Sequence, residues 1–309
     1  MKLAWLALAA ASVPAGAETP TCQQELVVLG AGQDAGAPQI GNSGDAGVRL
    51  LPSSLALIDR SSGKRYLFDA TPAITTQLAM LDAIEPPGEG KGLGIDGIFL
   101  THAHIGHYLG LAWLGREAAG SKSVPVYAMP RMAEFLRGNG PWSQLVELGN
   151  IDLRELEPIL PNLLAEGFIV IGLPVPHRDE YSETVGIAMI NAGGASLLYI
   201  PDIDSWEQWE LLAGDPLAGV VAKFDHVFLD ATFWDDDELP GRDMSEIPHP
   251  RVSETMALLD TLSSEERAKV HFIHYNHTNP IRDPASAESR EVEARGFRVA
   301  RQGDRFCLD

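Results

Sequence analysis

Residues 101–107 read Thr-His-Ala-His-Ile-Gly-His and directly follow the apolar run Gly-Ile-Phe-Leu. The apolar run predicts a buried strand, and the histidines stand where that strand gives way to a loop. In extended backbone alternate side chains point to the same side, so His102 and His104 can reach one ion. His107 begins a predicted helix over residues 107–119 and can turn toward a second position nearby. Because neutral imidazoles suit Zn, Fe, Co or Ni better than Ca or Mg, this stretch predicts a transition-metal site.

On both sides of this stretch in the sequence, strand-like and helical runs follow one another without a strict order. A turn at residues 61–64 joins two of the strand-like runs into a predicted hairpin. Two sheets covered by outer helices satisfy the mixed order, whereas a strict eight-fold barrel does not. The strands are predicted over residues 25–30, 54–59, 66–69, 97–101, 124–128, 168–173, 185–190, 196–200, 226–229, 270–274 and 297–300, and the further helices over 72–84, 204–212, 252–262 and 284–294.

A glycine-rich loop, Gly-Ala-Gly-Gln-Asp-Ala-Gly at residues 30–36, follows the first predicted strand. A dinucleotide-binding fingerprint requires a helix to begin within such a loop. Here Pro38, Gly41 and Gly44 continue the loop character instead. The loop is therefore a poor match to a dinucleotide site.

The histidine loop resembles that of the metallo-β-lactamase superfamily, whose loop reads His-x-His-x-Asp-His at a strand end. The resemblance continues in chain order, since Asp69, His177, Asp202 and His274 each stand after a strand-like run where that superfamily has an aspartate or a histidine. It implies an α/β fold, the αββα sandwich of two mixed β-sheets with outer helices. It also implies an active site at the edge where the strand ends meet.

The resemblance further implies two adjoining metal sites that share Asp202. Asp69 is expected to orient a ligand histidine by accepting its other ring N–H. The metal ligands implied are His102, His104 and His177 at the first site, His107 and His274 at the second, and Asp202 between them.

Gly106 departs from the superfamily pattern, because an aspartate usually precedes the last histidine of the loop. The second site then has two histidines and one shared carboxylate, a set that suits Fe(II) but also describes a weakened Zn site. We expect one or two Zn ions, with Fe or Mn as alternatives, and a second ion that binds more weakly than the first.

Three further residues are candidates for roles around the metals. His277, in His-Tyr-Asn-His-Thr-Asn-Pro at residues 274–280, is a candidate catalytic residue that donates to substrate or stabilises a leaving group. The alternative is a turn histidine bonded to its local backbone. His249, between two prolines, either lines the pocket or is an exposed loop residue. Asp230 is a candidate outer group.

A narrower resemblance links the chain to the pyrroloquinoline quinone biosynthesis B family, a branch of the same superfamily. The stretches that carry it are residues 30–39 (GAGQDAGAPQ), 229–234 (LDATFW) and 272–280 (FIHYNHTNP). The chain lacks the cysteine cluster expected after residue 39, and it has His102 and His104 where that family has lost the usual histidines.

The N-terminus has the three parts of a secretory signal peptide over residues 1–17, namely Lys2, an apolar run and a small-residue end. The run is too short to span a membrane, so we expect no stable membrane insertion. The mature domain is then residues 18–309, in the periplasm or secreted. Cys22 and Cys307 either form a disulfide there or remain free thiols.

The 309 residues include 43 acidic and 23 basic ones, which gives a formal charge of −20. A surface this acidic argues against a nucleic-acid partner. The hydrophobic content of 45% is that of a globular protein, and no linker-like stretch divides the chain, so we expect one domain. The composition does not indicate an oligomeric state.

Together these features predict a metal-dependent hydrolase in which a metal-activated water attacks a small ester, lactone, phosphodiester or similar small-molecule substrate. Asp202 would bridge the ions or orient the water. Two alternatives stay open: an iron-dependent oxygenase in quinone cofactor biosynthesis, and a periplasmic protein that binds a quinone or its precursor.

Overall fold

The computed structural model describes residues 22–164 and 167–308. The strands in this part of the chain are β1 (Gln24–Gly30), β2 (Ser54–Asp59), β3 (Lys64–Phe68), β4 (Gly97–Phe99), β5 (Val124–Ala128), β6 (Ile151–Glu155), β7 (Asn162–Leu163), β8 (Ile169–Pro174), β9 (Val185–Ile190), β10 (Ser196–Ile200), β11 (His226–Asp230), β12 (Val270–Ile273), β13 (Arg298–Val299) and β14 (Arg305–Cys307). The helices are α1 (Ile74–Ile84), α2 (Ile105–Tyr108), α3 (Pro130–Gly138), α4 (Trp142–Glu147), α5 (Trp206–Ala213), α6 (Leu217–Val221), α7 (Val252–Leu258), α8 (Ser264–Arg267) and α9 (Ala287–Ala294). Short 3₁₀ helices cover Leu109–Leu114, Met244–Glu246 and Pro280–Arg282.

The strands form two seven-stranded mixed sheets. The first sheet has the order β14-β1-β2-β3-β4-β5-β6 and the second β13-β12-β11-β10-β9-β8-β7. Aromatic side chains from both sheets meet in the core: the rings of Phe68 and Tyr199 lie 5.9 Å apart, and those of Tyr66 and Phe168 lie 6.1 Å apart. The predicted sandwich of two mixed sheets with helices is confirmed.

The apolar runs form strands because they are buried along their length. Every residue of β2, β4 and β10 is buried, as expected for strands covered on both faces. β2 and β3 pair antiparallel across the turn, which confirms the predicted hairpin. Strands β10, β11, β12 and β13 then run parallel, as do β3, β4, β5 and β6.

The parallel strands bring their carboxyl ends, and the residues that follow them, to one edge of each sheet. In the first sheet Asp69 follows β3 and the histidine loop follows β4. In the second sheet His177 follows β8, Asp202 follows β10 and His274 follows β12. This topology is what collects candidate ligands that are far apart in sequence.

The helix predicted over residues 107–119 is wrong. α2 covers only Ile105–Tyr108, and the chain continues as a 3₁₀ helix over Leu109–Leu114. The backbone of Gly110 lies so close to the segment after β3 that a Cβ atom there would be 2.2 Å from the Thr71 carbonyl oxygen. The Gly110 N–H also donates to the Ala70 carbonyl, so this contact fixes the path of the chain.

The first and last strands of the described residues are joined. β14 pairs antiparallel with β1, and a disulfide connects Cys22 and Cys307, whose Cα atoms are 5.5 Å apart. The structure thus selects the disulfide over two free thiols. The predicted signal peptide over residues 1–17 lies outside the described residues. Within them, no helix has the length and apolar character needed to cross a membrane.

Candidate metal centre

Three histidines and one aspartate converge at the edge shared by the two sheets. His104 Nδ1 lies 2.8 Å from His102 Nε2 and 3.1 Å from His177 Nε2. Asp202 Oδ2 lies 3.2 Å from His177 Nε2 and 3.5 Å from His102 Nε2. All four donor atoms fall within 4.8 Å of one another. The structure therefore brings together the predicted first site, and Asp202 lies beside it as expected.

The other ring nitrogen of each of these histidines has a polar partner. His102 Nδ1 lies 3.0 Å from Thr101 Oγ1, His177 Nδ1 lies 2.6 Å from Asp204 Oδ1, and His104 Nε2 lies 3.3 Å from Glu180 Oε2. Such partners orient the rings and leave the inner nitrogens free to act as ligands.

A second group lies next to the first and consists of His107, His274 and Asp34, whose donor atoms also lie within 4.8 Å of one another. The Nε2 atoms of both histidines are buried without a hydrogen-bond partner. Each lies 3.9 Å from Asp202 Oδ2, which places Asp202 between the two groups. An unpartnered buried ring nitrogen is costly, and a cation would satisfy both.

Asp69 holds His107 as predicted. Its Oδ2 lies 2.8 Å from His107 Nδ1, and it also accepts hydrogen bonds from the Thr101 N–H and hydroxyl. Asp69 and His274 both have a left-handed backbone, with φ of 64°. Non-glycine residues in this region are uncommon and cluster at functional sites.

His249 is not the exposed loop residue that the sequence allowed. Its side chain is only 10% exposed, and its Nδ1 lies 2.9 Å from Asp230 Oδ2 and 3.4 Å from Asp202 Oδ1. Asp202, Asp230 and His249 form a third compact group. The pocket-lining alternative for His249 therefore holds. The ring of His249 lies inside the molecule because it contacts the buried carboxylate of Asp230 on β11.

His277 belongs to none of these three groups of the described chain. Its Nδ1 lies 2.7 Å from Asn276 Oδ1, and its backbone N–H donates to the same oxygen. These contacts join His277 to the side chain of its neighbour rather than to the backbone of the turn. A catalytic role for His277 stays a prediction.

The protonation states follow from burial and from the shared carboxylate. Burial lowers the pKa of His102, His104 and His274, which favours the neutral imidazoles that bind metals. Burial also acts on His177, but Asp202 and Asp204 outweigh it and raise its pKa to about 10. Although burial opposes ionisation of Asp202, His274 and His177 hold its pKa well below the usual range. A cation bound here would displace the His177 proton.

A cleft of about 570 Å³ adjoins the cluster. Asp204 and His249 form the wall nearest to the ligands, and Glu207 and Glu254 add two exposed carboxylates. The apolar part of the lining includes Leu258, which is 49% exposed.

The sequence of this chain is similar to those of a known family. Residues 64–275 match the family described as the β-lactamase superfamily domain. Coenzyme PQQ synthesis protein B of Nitrosococcus oceani is 28% identical over 265 residues, which covers 77% of this chain and 82% of the relative.

Two solved structures share the fold. The zinc-bound crystal structure of PqqB from Methylobacterium extorquens superposes with a TM-score of 0.75 and 24% identity, covering 92% of this chain and all of that one. A diphosphatase of the PhnP family superposes with a TM-score of 0.62 and 23% identity, covering 92% and 96%. The family match covers more than half of the sequence and spans the histidine loop and the strands that carry the other candidate ligands, so this chain belongs to the β-lactamase superfamily.

Proposed function

We propose that this protein is a metal-dependent hydrolase that acts on a small molecule. One observation carries the proposal: five histidine side chains surround Asp202, and polar neighbours hold the ring nitrogens that face away from it. The five are His102, His104, His107, His177 and His274. Imidazole and carboxylate donors in this number fit one or two Zn ions, and also Fe or Mn. The unpartnered Nε2 atoms of His107 and His274 support the same assignment.

A divalent ion bound at this centre supplies Lewis acidity and lowers the pKa of its water toward neutrality. The chain's own residues then orient the reactants. Asp202 Oδ1 is buried without a hydrogen bond, with His249 Nδ1 3.4 Å away, and it would accept a hydrogen bond from a metal-activated water. His249, held by Asp230 at the rim of the cleft, is placed to contact the substrate.

The charge of the cleft favours a neutral or cationic substrate. Asp204, Glu207 and Glu254 line the cleft together with His249, and the whole chain carries a formal charge of −20. An anionic phosphodiester or a nucleic acid would be repelled by this field. Among the predicted substrate classes, a small ester or lactone therefore fits best.

The curated relatives favour a second candidate. Proteins named coenzyme PQQ synthesis protein B are 26–28% identical to this chain over most of its length, so a related role is an iron-dependent oxygenase in quinone cofactor biosynthesis. Oxygen consumption by the iron-loaded protein, without hydrolysis, would identify that role.

Export to the periplasm or medium is part of the proposal. The leader-like residues 1–17 motivate it, and the disulfide between Cys22 and Cys307 supports it because disulfides persist in oxidising compartments. Mass spectrometry of the exported protein tests it, with a mature chain beginning at or near Glu18 as the expected result.

The test of function compares purified chain loaded with Zn, Mn or Fe on neutral esters, lactones and phosphodiesters. We expect ester or lactone turnover that His104→Ala reduces by about 100-fold or more, since one ligand of the first site is lost. His226→Ala is the matched control, because His226 lies at the start of β11 and bonds to the Cys307 carbonyl. Equal turnover in His104→Ala and wild type would overturn the proposal.

A further inference from the structure

The space beside Gly106 is filled by a different part of the chain. A Cβ atom on Gly106 would lie 2.8 Å from Asp34 Cα, 3.1 Å from the Asp34 carbonyl oxygen and 3.2 Å from Asp34 Oδ1. The first of these distances is shorter than real Cβ contacts. A side chain at residue 106 would therefore collide with Asp34, which the glycine-rich loop places in that space.

The Asp34 carboxylate lies where a second ion would need an oxygen ligand. One of its oxygens falls within 4.8 Å of donor nitrogens of both His107 and His274. Those two imidazoles are buried, whereas Asp34 is exposed, so the carboxylate lies on the solvent side of the two rings.

The loop that carries Asp34 is anchored next to both histidines. The Gln33 N–H donates to the Tyr275 carbonyl, and the Tyr275 N–H donates to the Ala31 carbonyl. Tyr275 directly follows His274, and Gly106 directly precedes His107. Asp34 adopts a left-handed φ of 44°, and the Gly36 N–H closes the turn on the Gln33 carbonyl. The backbone that carries Asp34 is thus fixed beside both histidines.

We propose that Asp34 is the carboxylate ligand of the second metal ion, together with His107, His274 and the shared Asp202. This rests on the metal centre proposed above. The Asp34 carboxylate, from a loop distant in sequence, lies close to where a side chain of residue 106 would begin. Two carboxylates and two imidazoles are a donor set suited to Zn, Mn and Fe. The second site is then not weakened in the way that the sequence around Gly106 suggests.

The proposal is tested on the full mature chain after removal of metal by a chelator. Zn²⁺ is titrated by calorimetry, and Co²⁺ binding is followed by optical absorption. Asp34→Asn keeps the side-chain shape, and asparagine tolerates the left-handed backbone. Asp34→Gly removes the carboxylate at no backbone cost and serves as the second variant.

We expect wild type to bind two ions, and both Asp34 variants to keep the first at wild-type affinity and bind the second at least tenfold more weakly. Asp152→Asn is the matched control, because Asp152 is an exposed aspartate on edge strand β6 and the variant makes the same charge change. It should behave as wild type. Two ions bound at wild-type affinity by the Asp34 variants would overturn the Asp34 assignment alone, whereas a wild-type chain that binds no ion would overturn the metal centre itself.

Discussion

Two threonines have matching roles on the two sheets. The Thr101 hydroxyl donates to Asp69 and lies 3.0 Å from His102 Nδ1. The Thr232 hydroxyl donates to Asp230 and lies 3.1 Å from His274 Nδ1. Because each hydroxyl proton points to a carboxylate, each oxygen is left to accept the histidine Nδ1–H. This arrangement fixes the tautomer that presents Nε2 to the metal.

Replacement of each threonine by valine should therefore change the two metal sites differently. We expect Thr232→Val to reduce affinity at the second site by about 10–100-fold, since His274 loses its orienting partner. We expect Thr101→Val to reduce affinity at the first site most, with a smaller loss at the second, because Thr101 Oγ1 also lies 3.4 Å from His107 Nδ1 and donates to Asp69. Calorimetric titration of the metal-free variants measures both sites. Equal effects of both variants on both sites would contradict these separate roles.

Glu238 should make the stability of the folded protein depend on pH. Burial raises its pKa to about 7, above the ordinary 4.5, although Thr278 and the Trp234 N–H donate to it. The folded protein therefore holds a proton that the unfolded chain releases, and the free energy of unfolding falls as pH rises from about 4.5 to 7.

Glu238→Gln removes this contribution. From pH 5 to pH 8, we expect the stability of the variant relative to wild type to increase by about 2–3 kcal/mol. Urea denaturation of both proteins across that range measures the difference. A stability difference that does not change with pH would show that the Glu238 carboxyl has an ordinary pKa.

Among single residues, the candidate ligands that the sequence predicted are those in a local motif and those that directly follow an apolar, strand-like run. His102, His104 and His107 share one loop, and His177 and His274 follow strands. It missed Asp34, although the aspartate was visible in the glycine-rich loop, because no local pattern reports a contact between residues 34, 106 and 274. For the same reason the sequence left two alternatives open for His249, a pocket-lining residue or an exposed loop residue.

At the scale of elements, buried strands were predicted best. β2, β5, β9 and β10 have the predicted bounds, since continuous apolar runs are decided by local composition. Several short elements were not predicted, namely β6, β7, β14, α3, α4, α6 and α8, and α2 is shorter than its pattern suggested. The close approach of Gly110 to Thr71 ends the regular helix, and such tertiary contacts override local periodicity.

The disulfide links Cys22, two residues before β1, to Cys307 on edge strand β14. We expect Cys22→Ser to lower the free energy of unfolding by about 2–5 kcal/mol, because a cross-link across nearly the whole chain restricts the unfolded state. Urea denaturation measures this loss. Wild type in reductant should lose the same amount, and no change in either case would contradict the stabilising role.

At the scale of the whole molecule, the metal centre is divided between the two sheets. The first sheet contributes Asp34 and the histidine loop, and the second contributes His177, Asp202 and His274. The centre is complete only when both sheets pack together, so metal binding and folding should be coupled. The sequence predicted this two-sheet arrangement through its resemblance to a superfamily, whereas the acidic cleft beside the cluster required the structure.

The most direct test of the metal centre is anomalous X-ray diffraction at the zinc absorption edge from crystals of the protein grown with zinc. We expect one anomalous peak enclosed by His102 Nε2, His104 Nδ1 and His177 Nε2, and a second beside His107 and His274. Asp202 should lie between the two peaks. The absence of a peak within this cluster, with zinc present in the crystal, would show that these residues do not form a metal centre.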